Sequence, residues 1–366
     1  MERERLIVAV DFGTTYSGVA FCHSTQDGLR DSEVVSSWAN NGVAPKTPTE
    51  IRYLDGKESL WGAEASLPCE RRQVKDASPI YGRFKLLLDP TTSTSVYADR
   101  PEPSNFVQRL AGLRLQDSGS IKLPPGKTAI DISSDYLRLL YNELMNQRLR
   151  KRYPDTLDIT PIEFVFTIPA IWSHKAQEAT RYAAEAAGFC SRPSDKLSLV
   201  SEPEAAAMFV LQAMHEKNFS RISVQGKTLK KGENFVICDC GGGTVDLISY
   251  EVEQDHPKFS LKESVVGTGA KCGSSYIDVA FIDLLEKKLG SNCKTEGWFQ
   301  KLTERGGALM KTFDSIKKTF GQTTNEIWFL ELGTEVPDNE EAGIVDSELE
   351  FTASVPFSPV EAASTS

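Results

Sequence analysis

Short apolar runs alternate with stretches at helical spacing along most of the chain. Within residues 5–10 (RLIVAV) the apolar run is too short for a helix and reads as a buried strand, and SGVAF, after a Gly-Thr-Thr turn, reads as a second. Residues 26–60 mix short strand signals with Gly and Pro; residues 68–130 are irregular, rich in Pro, Ser and Thr, with helical fragments such as FKLLL. From Ser134 the period changes. Leu137, Leu140, Tyr141 and Leu144 recur at helical spacing, with Ser133 or Ser134 as the expected N-cap. IEFVFTIPA (162–170) is a strand stopped by Pro169. The next helix, SHKAQEATRYAAEAAG, has Ser173 as N-cap and Gly188 as its stop. A strand, LSLV (197–200), and a helix, EPEAAAMFVLQAM, follow. NFVICDCGGGTVDLISYEV (234–252) is again strand, turn, strand; FSLKESVVGTG adds a third strand, and helices are expected over 274–289 and 297–320. Residues 319–366 contain no Lys or Arg, and 334–366 are expected to be an acidic, disordered tail.

Composition narrows the class. With 366 residues, 40% hydrophobic and 25% charged, the chain suffices for two domains with cores of their own. A net charge of -10 argues against non-specific nucleic-acid binding. No apolar run reaches membrane-spanning length and no signal peptide opens the chain, so a cytoplasmic or nuclear protein without membrane partners is expected. Seven cysteines without a C-x-x-C pair are expected to be reduced thiols; Cys238 and Cys240 flank Asp239 and share a strand face.

The informative pattern is an internal repeat: LIVAV, Asp11, then FGTT; and FVIC, Asp239, then CGGGT. Gly13 permits a tight turn that aims backbone N–H groups at one spot, an anion nest, and the Thr14 and Thr15 hydroxyls add donors. A strand-end aspartate can hold a hydrated magnesium ion. Asp239, Gly241, Gly242, Gly243 and Thr244 offer the same parts. Each motif alone is also compatible with an ordinary β-hairpin; two copies facing each other would grip a nucleoside triphosphate from both sides.

Other motifs fall short. Asp11-Phe12-Gly13 has only ten residues before it, and no His-Arg-Asp exists, so it is not a protein-kinase signature. LPPGKT and VQGKT lack the first glycine of a Walker A loop. VVGTGAKCG has one residue too many before Gly273 for a dinucleotide turn.

The two turns are similar to the phosphate loops of the actin, sugar-kinase and heat-shock-protein-70 superfamily. DFGTTYSGVAF, FTIPAIWSHKAQEATRYAAEAAGF, LVSEPEAAAMF and VICDCGGGTVDL together resemble the heat-shock-protein-70 (DnaK-like) branch over roughly residues 5–330. YGRFKLLLDP and the long region at 90–130 resemble its divergent "twelve" branch. The resemblance implies an α/β, two-lobed actin-like (ribonuclease H-like) ATPase fold. Lobe I would span 1–195 with an insert at about 40–125, and lobe II 196–333 with an insert at about 265–330.

The resemblance further implies ATP or ADP with Mg2+ as cofactors, and co-chaperones or client proteins as partners. Asp11 and Asp239 would orient magnesium-bound water; Thr14, Thr15, Tyr16 and the amides of Gly241 to Thr244 would hold phosphates. Glu202 would order the attacking water, and Lys85 stands where the family has a lysine facing the γ-phosphate. FDSIKKTFG resembles the helix against the adenosine, giving Asp314, Lys317 and Lys318, with Gly321 where a serine is usual. No Gly-Gly adenosine turn, second connecting helix or peptide-binding domain follows, so an incomplete lobe II with an unpaired sheet edge is expected. A weakly hydrolysing ATPase domain leads the reading. A pseudo-ATPase interaction protein or a truncated product is the alternative, and a small-molecule kinase fits less well because of TTYSG and EPEAAA.

Overall fold

The computed structural model describes residues 4–25, 31–38, 42–54, 59–66, 78–89, 121–215, 229–255, 260–290, 293, 295–304, 306–319, 327–336 and 338–352. These fall into two compact units, the first running to Gly273 and the second beginning at Ser274. Most of the 90–130 region, Gly321 and residues 353–366 lie outside the described residues.

In the first unit β1 (Leu6–Phe12) and β2 (Tyr16–His23) form a hairpin. Five short strands follow: β3 (Glu33–Val34), β4 (Lys46–Pro48), β5 (Glu50–Tyr53), β6 (Ser59–Trp61) and β7 (Tyr81–Gly82). The remaining strands are β8 (Ile162–Ile168), β9 (Lys196–Ser201), β10 (Asn234–Cys240), β11 (Val245–Gln254) and β12 (Ser260–Ala270); the long helices are α1 (Ala129–Glu143), which a π-helical turn (Leu144–Leu149) and a short α-helical turn (Arg150–Arg152) extend, α2 (His174–Ala187) and α3 (Glu202–His215).

The main sheet has six strands in the order β3-β2-β1-β8-β9, with β4 also paired to β2. Strand β1 is antiparallel to β2 and parallel to β8, which is parallel to β9. Parallel neighbours need a crossover, which α1 and α2 supply by covering one face. The two-residue period of β1 buries Leu6, Val8, Val10 and Phe12 on that face, and β8 adds Ile162, Phe164 and Phe166. Burying each such side chain contributes about 1.5–3 kcal/mol. The same period turns Asp11 to the opposite, half-exposed face.

Helix α2 begins and ends as its sequence predicts. Ser173 Oγ accepts from the Ala176 N–H at 3.3 Å, and Gly188 adopts φ 114° against the Tyr141 ring. Helix α1 differs from expectation, because it starts several residues before Ser133 and Ser134. Thr128 and Asp131 form a reciprocal capping box there, while Ser133 and Ser134 are buried within the helix. Ser134 Oγ donates back to Ile130 O at 2.8 Å.

A separate antiparallel sheet, β10-β11-β12, packs Ile248 and Tyr250 against Ala207 of α3. Strand β10 lies at its edge. Among the described residues this sheet has three strands, and Val236, Val265 and Val266 on it are exposed.

The second unit contains α4 (Ser275–Leu289), α5 (Gly297–Leu302), α6 (Ala308–Thr319), β13 (Ile327–Glu331), β14 (Ile344–Val345) and β15 (Glu348–Thr352). Phe281 and Phe313 stack at 3.8 Å, and Phe351 meets both edge-on. The helix expected over 297–320 is broken, since Gly306 takes φ 78°, which ordinary side chains disfavour. The expectation of disorder from residue 334 also fails as far as Thr352. There β15 pairs with β13 and β14, and Leu349 and Phe351 enter the core while Glu348 and Glu350 point outward.

Candidate functional site

The two Gly/Thr turns, far apart in sequence, meet in the first unit. The first joins β1 to β2. A Cβ on Gly13 would collide with the Tyr16 carbonyl, so the turn closes only around glycine. Thr49 fastens it: its hydroxyl donates to Gly13 O and its N–H to Thr15 O, each at 2.8 Å. Thr14 is buried, whereas Tyr16 is 40% exposed at the start of β2.

The second turn joins β10 to β11 and is closed by Gly241 N–H to Thr244 O at 2.9 Å. Its glycines lie against the first turn. A Cβ on Gly243 would stand 2.6 Å from both Thr14 Oγ1 and Leu86 Cδ2, and one on Gly242 would strike the Thr15 side chain. Gly273 supports the turn from behind, donating its N–H to Gly243 O at 3.1 Å.

Carboxylates gather at the same place. Asp11 Oδ1 accepts from Thr167 of β8 at 3.0 Å, and its Oδ2 pairs with Lys46 at 2.6 Å. Burial and the negative charges of Glu202 and Asp11 push the Asp239 carboxyl up, with Lys46 and Lys85 opposing. Lys85 is 1% exposed. It sits in the 3-10 turn Phe84–Leu88, where its Nζ donates to Glu202 Oε1 at 2.8 Å and lies 5.1 Å from the Trp172 ring centre. The structure therefore brings Asp11, Gly13, Thr14, Thr15, Lys85, Glu202, Asp239, Gly241, Gly242, Gly243 and Thr244 together through direct contact or electrostatic coupling.

Asp314, Lys317 and Lys318 belong to α6 of the second unit. Lys317 pairs with Asp278 of α4 at 2.6 Å and with Asp314 at 3.3 Å; Lys318 also pairs with Asp314. Neighbouring lysine cations hold the Asp314 carboxyl below its ordinary value, although burial opposes them.

Sequence reasoning missed Lys46, Gly273 and Asp246. Asp246 stands opposite Asp239 in the β10–β11 register and is 1% exposed. Its Oδ1 accepts from Ile171 N–H at 3.2 Å, while Oδ2 is buried without a hydrogen-bond partner. Burial raises its pKa; the Thr244 hydroxyl and the Ile171 N–H offset this only in part. The available signal was an acid two residues beyond the Gly-Gly-Gly-Thr turn. A carboxyl with a raised folded pKa stabilises the fold at low pH, and that contribution is lost as pH rises through the folded value. Asp246→Asn keeps an acceptor for Ile171 and removes the charge. It is expected to raise the ligand-free Tm at neutral pH, by about 2–4 °C for each kcal/mol recovered. Thermal melts from acidic to neutral pH check this; an unchanged or lower neutral Tm contradicts it.

No helix among the described residues is long and apolar enough to cross a membrane. No family model matches the chain. It is 26% identical over 342 residues to heat shock 70 kDa protein 12B of Homo sapiens, covering 78% of this chain and 45% of that protein. Heat shock 70 kDa protein 12A of Homo sapiens is 27% identical over 339 residues, with 78% and 46% covered. The chaperone protein DnaK of Burkholderia cenocepacia is 26% identical over 248 residues, with 67% and 32% covered. The chain spans about half the length of the two human relatives. Its mixed α/β architecture, with several sheets and helices, is compatible with the actin-like ATPase fold of those proteins. The chain's homologues are thus heat-shock-protein-70 family members, and they match the divergent twelve-type branch.

Proposed function

We propose that the chain binds ATP or ADP with magnesium at the paired turns and hydrolyses ATP slowly, as a chaperone-related nucleotide-binding domain. The observation that carries this reading is the meeting of two Gly/Thr turns beside three carboxylates and a buried lysine. The residues fit the cofactor. A Cβ on Gly242 or Gly243 would strike Thr15 or Thr14, so only glycine lets the two turns close on each other, and Asp246 Oδ2 is a buried carboxyl oxygen without a hydrogen-bond partner. Among the described residues no three His, Cys, Asp or Glu side chains could enclose a metal. A cation here would keep most of its waters, as magnesium does.

The amides of Gly242, Gly243 and Thr244, with Thr14, Thr15 and Tyr16, would hold the β- and γ-phosphates, while Gly241 N–H already donates to Thr244 O and shapes the turn. Asp11 and Asp239 would accept hydrogen bonds from magnesium-bound waters; Glu202 would orient the attacking water. Lys85 would offset charge on the γ-phosphate. Magnesium, when bound, supplies charge neutralisation between phosphate oxygens. Co-chaperones or client proteins are proposed as further partners; the one support is that the DnaK relative is named a chaperone protein.

Titration calorimetry with Mg-ATP tests the reading. The parent chain is expected to bind and Asp239→Asn to bind about tenfold or more weakly, since a charged contact is lost; no binding by the parent rejects it. A second reading is binding without turnover. It is favoured by the Lys85–Glu202 pair, which engages two groups that would otherwise act on phosphate and water. Phosphate release in single-turnover conditions separates the two.

A further inference from the structure

Burial alternates along β10, leaving Asn234, Val236, Cys238 and Cys240 on its outer face and Asp239 on the other. The outer two thiols touch: Cys238 Sγ and Cys240 Sγ are 3.4 Å apart, and both residues are exposed. Residues two apart in a strand have Cα atoms about 6.5–7 Å apart. That is the upper limit for a disulfide, whose Cα atoms usually stand about 5.5–6 Å apart. Closing the bond requires β10 to pucker at Asp239. A central strand would resist, but β10 has a neighbour only on the β11 side among the described residues. The pucker would fall at the residue whose carboxylate faces the site, two positions before Gly241.

We propose that Cys238 and Cys240 are a modification site, a dithiol that a peroxide-class oxidant closes to a disulfide, weakening phosphate binding at the adjoining turn. One thiol attacks hydrogen peroxide, forming a sulfenic acid and releasing water. The second thiol attacks that sulfur; the S–S bond forms, the S–O bond breaks, and the oxygen leaves as a second water with the thiol proton. Two electrons pass from the sulfur pair to the peroxide, and a dithiol reductant reverses the change. The disulfide itself stands independently of the proposed function; its effect on affinity rests on that reading.

The test uses the full chain, reduced or treated with hydrogen peroxide. Peptide mass spectrometry is expected to find a Cys238–Cys240 link lacking two hydrogens, absent in Cys238→Ser and removed by dithiothreitol. Mg-ATP affinity of the oxidised parent is expected to fall about tenfold or more, as loss of one hydrogen bond to a charged phosphate produces. Peroxide-treated Cys238→Ser is expected to keep its affinity. Thiols left free, or oxidised separately to sulfinic acids, overturn the dithiol. A formed link with unchanged affinity, or an equal loss in Cys238→Ser, overturns the coupling. Failure of the reduced parent to bind overturns the nucleotide reading and with it the coupling, while the mass of the link still decides the disulfide.

Discussion

Lys85→Ala lowers the free energy of unfolding by about 3–5 kcal/mol, the usual cost of removing one partner from a buried ion pair. The lower end of that range is expected, because Glu202 keeps 17% of its side chain in water whereas Lys85 keeps 1%. The loss has two parts. The Lys85 amine neutralises Glu202 in a place where Asp239 already feels the charges of Glu202 and Asp11. The aliphatic stem is buried with the amine, whose Nζ lies 5.7 Å from the Phe12 ring centre and 5.1 Å from that of Trp172. Lys85→Met keeps the stem and loses the charge, so the difference between the two variants measures packing. Adding Glu202→Gln to Lys85→Met removes the orphaned charge and should restore most of the stability. Denaturant titrations of the variants check this; Lys85→Ala within about 1 kcal/mol of the parent would show the pair to be well solvated.

Gly273→Ala has the second large effect, and it falls chiefly on ligand binding. The added Cβ would stand 2.6 Å from both Gly241 O and Gly243 N and 2.7 Å from Gly242 C. All three are backbone atoms, so no side-chain rotation relieves the overlap and the turn must move. Such overpacking costs about 1–3 kcal/mol, and displacing the turn's amides from a charged phosphate is expected to weaken Mg-ATP binding about tenfold or more. Gly297→Ala is the control, since a Cβ there meets nothing within 4 Å. Calorimetry and thermal melts check both; near-parental affinity in Gly273→Ala would remove Gly273 from the site.

Local chemistry made parts of this structure readable in advance. Strands β1, β2, β8 and β9 of the main sheet followed from short apolar runs, whereas β3 and β4 carry no such run; α2 followed from Ser173 and Gly188 at its ends. The two turns were visible because glycine, threonine and aspartate recur in one order. What stayed hidden depends on partners distant in sequence. Lys46 reaches Asp11 across 35 positions, and Lys85 reaches Glu202 across 117. The first was not anticipated, and the second places two expected residues in direct contact. Gly273 was set aside as part of a failed dinucleotide motif; its role as backing for another loop has no local signature. Composition misled at the C-terminal side, where acidic residues on the outer row of β15 concealed the inward row of Leu349 and Phe351. The α1 cap was misplaced because Ser133 and Ser134 are good cap residues by type, while the Thr128–Asp131 pair acts by spacing.

The short turn that carries Lys85 also carries Leu86, whose Cδ2 lies where a Cβ on Gly243 would press. One peptide thus couples two mechanical elements: it anchors a cation inside the fold and props the glycine loop opposite. A rotation of that peptide cannot retract the amine without also loosening the prop. Charge placement and loop shape are geared together, so a substitution at Leu86, which holds no charge, would be felt at the Lys85 ammonium group.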